Sequence, residues 1–123
     1  MPREVKTSIP DRKQLSEFLS DNPGIIFIKF GAEWCAPCKK IEKFIEEKFN
    51  SFGNHVQCAI IDIDECFDVY AYLKSKKFVT SIPSIVCYLK GNVSLVPDEV
   101  VCNSDTTEIE YFIQRSFDLY EDM

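Results

Sequence analysis

The sequence lacks a long apolar run. Stretches such as Ile25 to Ile28 are fully apolar but far too short to span a bilayer. The first residues, Met-Pro-Arg-Glu-Val-Lys-Thr, are polar, so no apolar leader is expected. The sequence has no excess of positive charge: 14 lysines and arginines stand against 20 aspartates and glutamates, for a formal net charge of -6. An acidic surface repels phosphate backbones and anionic membrane surfaces, so neither nucleic acid nor membrane is an expected partner. There is one histidine, His55, and no second Cys-x-x-Cys, which leaves a zinc site short of ligands. No metal or bound cofactor is expected. Internal repeats, low-complexity segments and linkers are missing too.

What is there suits one domain over residues 1–123. The apolar share is 46%, enough to build a core without covalent staples. Six cysteines occur: Cys35, Cys38, Cys58, Cys66, Cys87 and Cys102. Without a secretory leader the expected location is cytoplasmic and reducing. There a Cys-x-x-Cys pair is redox-active or metal-binding rather than part of a structural framework.

Strand and helix patterns alternate, as in an α/β domain with a mixed sheet. Val5, Thr7 and Ile9 alternate and predict a first strand that Pro10 ends. Asp11 followed by Gln14 predicts a capped helix burying Leu15, Phe18 and Leu19, stopped by Asn22-Pro23-Gly24. Ile25-Ile26-Phe27-Ile28-Lys29-Phe30 predicts a strand buried on both faces, with Lys29 the misfit. After Cys38, the positions Ile41, Phe44, Ile45, Phe49 and Phe52 form one buried helical stripe. Lys39, Lys40, Glu42, Lys43, Glu46, Glu47 and Lys48 make up its solvated face. Val56 to Ile63 predicts a further buried strand, and Glu65 to Lys76 a helix. Ser84 to Leu89 predicts a strand, Gly91-Asn92 a turn, and Val93 to Val96 the returning arm of a hairpin. A last helix starts near Ser104 or Asp105 and buries Ile109, Phe112 and Ile113.

A thiolate attacks a disulfide, and a thiol does not. The first turn of a helix lowers a thiol pKa through its free N–H groups and its dipole. Cys35 stands at such a mouth, directly after a strand, and Pro37 is tolerated within a first turn. Cys38 shares that helical face and can close a ring with Cys35. Cys35, ahead of the helix, reads as the more exposed attacking thiol, and Cys38 as the more buried resolving thiol. Two inert packing cysteines are the alternative.

On these residues the chain resembles the thioredoxin family. Phe30-Gly31-Ala32-Glu33-Trp34-Cys35-Ala36-Pro37-Cys38-Lys39 is close to that family's active-site signature, with Ala36 where glycine is usual. Asp62-Ile63-Asp64-Glu65-Cys66-Phe67-Asp68-Val69 is similar to the corresponding strand end and helix start of animal cytosolic thioredoxins. Ile82-Pro83 matches the family's cis-proline site and Gly91 its hairpin glycine. The resemblance covers nearly the whole chain. It implies a thioredoxin fold, a central mixed five-stranded sheet flanked by four helices. It also implies a protein thiol–disulfide oxidoreductase active in electron transport and cell redox homeostasis. Cys35 and Cys38 are then catalytic, and Trp34, Ala36, Pro37, Ile82 and Pro83 bind substrate. The implied partners are disulfide-containing proteins and a flavin-dependent thioredoxin reductase or other dithiol donor, with the chain itself a monomer. An oxidase or isomerase is one alternative, and a non-catalytic interaction subunit is another.

Two departures stand out. Thioredoxins usually bury an aspartate in the central strand, which helps move protons for the resolving cysteine, with a lysine beside it on the next strand. Lys29 and Ile60 occupy those positions here. Lys29 is therefore a candidate for pKa tuning. Charged, it stabilises a thiolate and makes the pair more oxidising; neutral, it is a base for Cys38. The alternative is a stem in the core with its amine in water. Cys58 and Cys87, in predicted strands, read as inert core residues. Cys66 at a helix start and Cys102 in a loop have a better case for reactivity, with a reduced bystander the alternative.

Overall fold

The computed structural model describes residues 2–123. At its centre lies a mixed sheet of β1 (Ile25–Gly31), β2 (Val56–Asp62), β3 (Ser84–Leu89) and β4 (Glu99–Val101). The strand order is β2-β1-β3-β4. β1 runs parallel to β2 and antiparallel to β3, and β4 pairs antiparallel with β3. The helices are α1 (Arg12–Ser20), α2 (Ala36–Lys40), α3 (Glu42–Ser51), α4 (Phe67–Ser75) and α5 (Thr106–Glu121).

Every residue of β1 is buried, because helices cover both faces of the sheet. Successive side chains of a strand point to opposite faces. Ile26, Ile28 and Phe30 enter one core layer, with Leu15 and Leu19 of α1 and Val69 and Leu73 of α4. Ile25 and Phe27 enter the other, with Ile45 and Phe49 of α3 and Ile109 and Phe112 of α5. Phe27 is wholly buried there, its ring 5.6 to 6.4 Å from those of Phe49, Phe52, Phe112 and Phe117. By the same alternation Lys29 continues the row of Ile25 and Phe27, on the α3 side of the sheet.

Local signals in the sequence account for most boundaries. Asp11 caps α1, its side chain accepting the Gln14 N–H at 2.8 Å. Asp105 caps α5 by accepting from Thr107 N at 2.9 Å. Gly91 turns the chain after β3 with φ 94°, a conformation that favours glycine.

Three expectations need correction. The predicted first strand is a single bridge, in which Lys6 donates to Cys58 O and accepts from Ile60 N at the edge of β2. The chain then leaves the sheet to bury Ile9 and start α1, so among the described residues the sheet has four strands rather than five. The helix after Cys35 breaks at Ile41 (φ -102°, ψ 0°), which ends α2 and begins α3, giving five helices rather than four among the described residues. The break turns Ile41 fully into the core. Val93 to Val96 do not form the returning hairpin arm. Asn92 accepts from Ser94 N and donates to Val96 O, while Asp98 accepts from Leu89 N, so side chains take up the backbone groups a ladder would use. Pairing resumes only at Glu99.

Candidate active site

Cys35 and Cys38 form a disulfide, with Cα atoms 5.2 Å apart. Both lie where β1 gives way to α2. Cys35 is the N-cap residue of α2, and its Sγ accepts the Cys38 N–H at 3.2 Å. Pro37 falls in the first turn, where its missing donor costs nothing. The expected contrast in exposure is slight: Cys35 is 5% exposed and Cys38 3%. The loop before β3 covers Cys35, with Ile82 O 3.9 Å from its Sγ.

That loop carries a cis peptide bond between Ile82 and Pro83. Pro83 is buried and Ile82 half-buried. Trp34, Ala36 and Pro37 are exposed beside the disulfide. Trp34 donates its indole N–H to Asp64 Oδ2 at 2.8 Å, which anchors the large ring to the turn after β2. Nothing local in the sequence marks Asp64 as a site residue. The aspartate lies 30 residues away, and only the parallel pairing of β1 with β2 brings it near.

Behind the disulfide is a cavity of about 210 Å³, open to solvent and lined by Cys38, Gly31 and Lys29 together with Glu42 and Glu46 of α3. Lys29 is only 6% exposed and pairs in register with Ile60, which offers no charge. A Cβ placed on Gly31 would sit 3.4 Å from Cys38 Sγ and 3.8 Å from Lys29 Cε, so the lysine stem and the sulfur flank the same glycine. Burial pushes the Lys29 amine below the usual lysine range, and the charges of Glu42 and Glu46 pull it back up. Glu42 and Glu46 belong to the face whose sequence pattern reads as merely solvated. The charge misfit on β1 is the signal that points to them.

The sign of that shift has a measurable consequence. The folded amine holds its proton less tightly than the unfolded one, whose ordinary value is 10.5. Below the folded pKa both states are protonated and the folded state bears the full cost of burying the charge. That cost disappears as pH rises from the folded value through 10.5. Lys29→Met is expected to raise stability in urea unfolding at neutral pH. Its gain over the wild type should shrink as the pH rises. A gain equal at neutral and strongly alkaline pH would contradict the assignment.

The other cysteines are set apart from this chemistry. Cys58 and Cys87 are buried within β2 and β3, and desolvation pushes both thiols up to about 12. Cys66 is buried at the N-cap of α4, and Cys102 is half-buried just beyond β4. His55 packs against Tyr120 and Phe117, away from the disulfide. Among the described residues no group of three or more His, Cys, Asp or Glu is placed to hold a metal ion. Among the same residues no helix is long and apolar enough to cross a membrane.

A cysteine pair at a strand-to-helix junction, opposite a cis-proline on a mixed sheet, defines a class of proteins. A family model described as thioredoxin matches residues 6–115. The chain belongs to the thioredoxin family. Its 85-residue match to a thioredoxin of Mycoplasma pneumoniae is 40% identical and covers 69% of this chain and 78% of that protein. Thioredoxin 3 of Plasmodium falciparum is 29% identical over 98 residues, 80% of this chain, which spans only 51% of that relative's length. The solved thioredoxin of Fasciola hepatica shares the fold with a TM-score of 0.72 at 21% identity, covering 91% of this chain and 99% of that one. Membership of this family, with a close cysteine pair, supports thiol–disulfide oxidoreductase chemistry in general.

Proposed function

We propose that the protein reduces protein disulfides, with Cys35 as nucleophile and Cys38 as resolving thiol. The observation that carries this is the Cys35 sulfur at the N-cap of α2, accepting the Cys38 N–H and facing the Ile82 carbonyl. An N–H aimed at sulfur favours the thiolate, the form that attacks. The Cys35 thiolate displaces one sulfur of the substrate disulfide, which leaves with the bonding electron pair and takes a proton from solvent. Cys38 loses its proton and attacks Cys35 Sγ. The bond between Cys35 and the substrate breaks, and the second substrate sulfur departs as a thiolate. The substrate gains two electrons and the protein keeps the Cys35–Cys38 disulfide.

Trp34, Ala36 and Pro37 form the rim on which the substrate rests, and the backbone beside Ile82 and Pro83 offers it an extended edge. A flavin-dependent thioredoxin reductase or another dithiol donor restores the dithiol. In this reading residues 1–123 act as one monomeric cytoplasmic domain in electron transport and redox homeostasis. A more oxidising role is the second reading, favoured by the buried Lys29, because a cation near Cys38 stabilises the reduced pair. The test of the first reading is reduction of insulin in the presence of dithiothreitol. Acceleration over dithiothreitol alone supports it, and no acceleration contradicts it.

A further inference from the structure

Of the six cysteines, one is both free and within reach of solvent. Cys35 and Cys38 are joined to each other. Cys58 and Cys87 are buried, and desolvation pushes their thiols up to about 12. Cys66 is buried with its sulfur 3.7 Å from Ser8 Oγ. Cys102 is free and only half-buried. The register pairs Ile85 with Val101, so one step further Ser84 stands opposite Cys102. Directly opposed residues of antiparallel strands share a face, with Cβ atoms about 4.5–5.5 Å apart. The packing agrees, because Val100 and Cys102 meet the core layer that holds Val86 and Tyr88. Among the described residues, Ser84 Oγ is the buried side-chain atom without a hydrogen-bond partner, in a residue only 1% exposed. Tyr70 of α4 completes the group. Burial first, and the Cys102 sulfur second, push the Tyr70 hydroxyl above the ordinary tyrosine range.

We propose that Cys102 is a modification site for hydroperoxides, and that the Ser84 hydroxyl holds the sulfenic acid formed there. The Cys102 thiolate attacks one oxygen of the hydroperoxide. The S–O bond forms as the O–O bond breaks, and the departing oxygen leaves with the electron pair and takes up a proton. The sulfur loses two electrons, and the peroxide gains them and leaves as water or an alcohol. The added oxygen is an acceptor on the face that Cys102 shares with Ser84, and Ser84 Oγ–H donates to it. A buried hydroxyl without a partner is costly, so oxidation satisfies a group that the thiol form leaves unpaired. A low-molecular-weight thiol restores the site. It condenses with the sulfenic acid, water leaves, and a second thiol frees Cys102 by disulfide exchange. Ser84 directly follows the cis bond of Ile82 and Pro83, so the modification stands at the lip of the Cys35–Cys38 site. It does not depend on the direction of exchange at that pair.

The test uses the full chain with its Cys35–Cys38 disulfide formed, so neither of those sulfurs competes. Hydrogen peroxide is the oxidant, dimedone traps the sulfenic acid, and peptide mass mapping locates the adduct. The expected result is an adduct at Cys102 in clear excess over every other cysteine. Adding dimedone at increasing delays after catalase has removed the peroxide measures how long the sulfenic acid survives. Ser84→Ala is expected to shorten that lifetime about fivefold, the effect of one neutral hydrogen bond. The variant loses no native contact, since Ser84 Oγ bonds nothing, and its urea midpoint should match or exceed that of the wild type. A lower midpoint would show Ser84 already engaged and would overturn the proposal. So would the lack of any adduct, an adduct that favours Cys66, or a lifetime unchanged in Ser84→Ala. The readout needs no turnover, so failure of the wild type on insulin would overturn the reductase reading and leave this one intact.

Discussion

Cys35→Ser should cut protein-disulfide reduction by on the order of a thousandfold or more, to the background of dithiothreitol alone, because no other sulfur occupies the N-cap of α2. Cys38→Ser should behave differently. The Cys35 thiolate remains and attacks, but nothing resolves the product, so a covalent mixed disulfide accumulates one to one with protein. Mass analysis of the intact chain reads this directly as an adduct that dithiothreitol removes. Turnover by Cys38→Ser at the wild-type rate would mean that the second sulfur is not the resolving group. Cys66, buried and with its sulfur 3.7 Å from Ser8 Oγ, is not positioned by these contacts to substitute.

Phe27→Ala is expected to be the most damaging single truncation of the core. The ring is fully buried on the face of β1 that meets α3 and α5, with four other aromatic rings around it. Removing such a side chain typically costs about 3–5 kcal/mol, since packed neighbours cannot close the cavity. Total stability of an ordinary domain is only about 5–15 kcal/mol. Urea unfolding should show a much lower midpoint with a similar slope. A loss below about 1 kcal/mol would show that the two layers are not packed around this residue.

The parts of this fold that are legible in the sequence rest on local chemistry. The run Ile25 to Phe30 marks a strand buried on both sides, and Asp11 and Asp105 mark helix starts by the groups they cap. Cys35 and Cys38 are legible because spacing and the strand-to-helix junction are both local. Ile82-Pro83 is legible only through family resemblance, and its bond is cis in the structure. What is not legible depends on competition or on distance. The alternation of Val5, Thr7 and Ile9 looks like a strand, yet only Lys6 pairs, because Ile9 is drawn into the core instead. Asn92 and Asp98 compete with the ladder for backbone groups and move β4 toward the C-terminus. Glu42 and Glu46 look like surface charges, as half of a helix must. Their meaning emerges once the pleat of β1 points Lys29 toward α3.

The charge at Lys29 bears on the direction of exchange. Burial loosens the hold of the Lys29 amine on its proton, which weakens the cation it sets beside the reduced pair. The pair then stays reducing. A lysine charged throughout stabilises the dithiol state and shifts the pair toward oxidising chemistry.

The most direct measurement is the reduction potential of the Cys35–Cys38 pair, by equilibration against dithiothreitol and glutathione with mass analysis of the trapped species. The expected result is a single two-electron transition nearer to about -270 mV, the potential of thioredoxin, than to the about -180 mV of protein disulfide isomerase. A pair that forms no disulfide, or one at the oxidising end of that range, would contradict a protein-disulfide reductase.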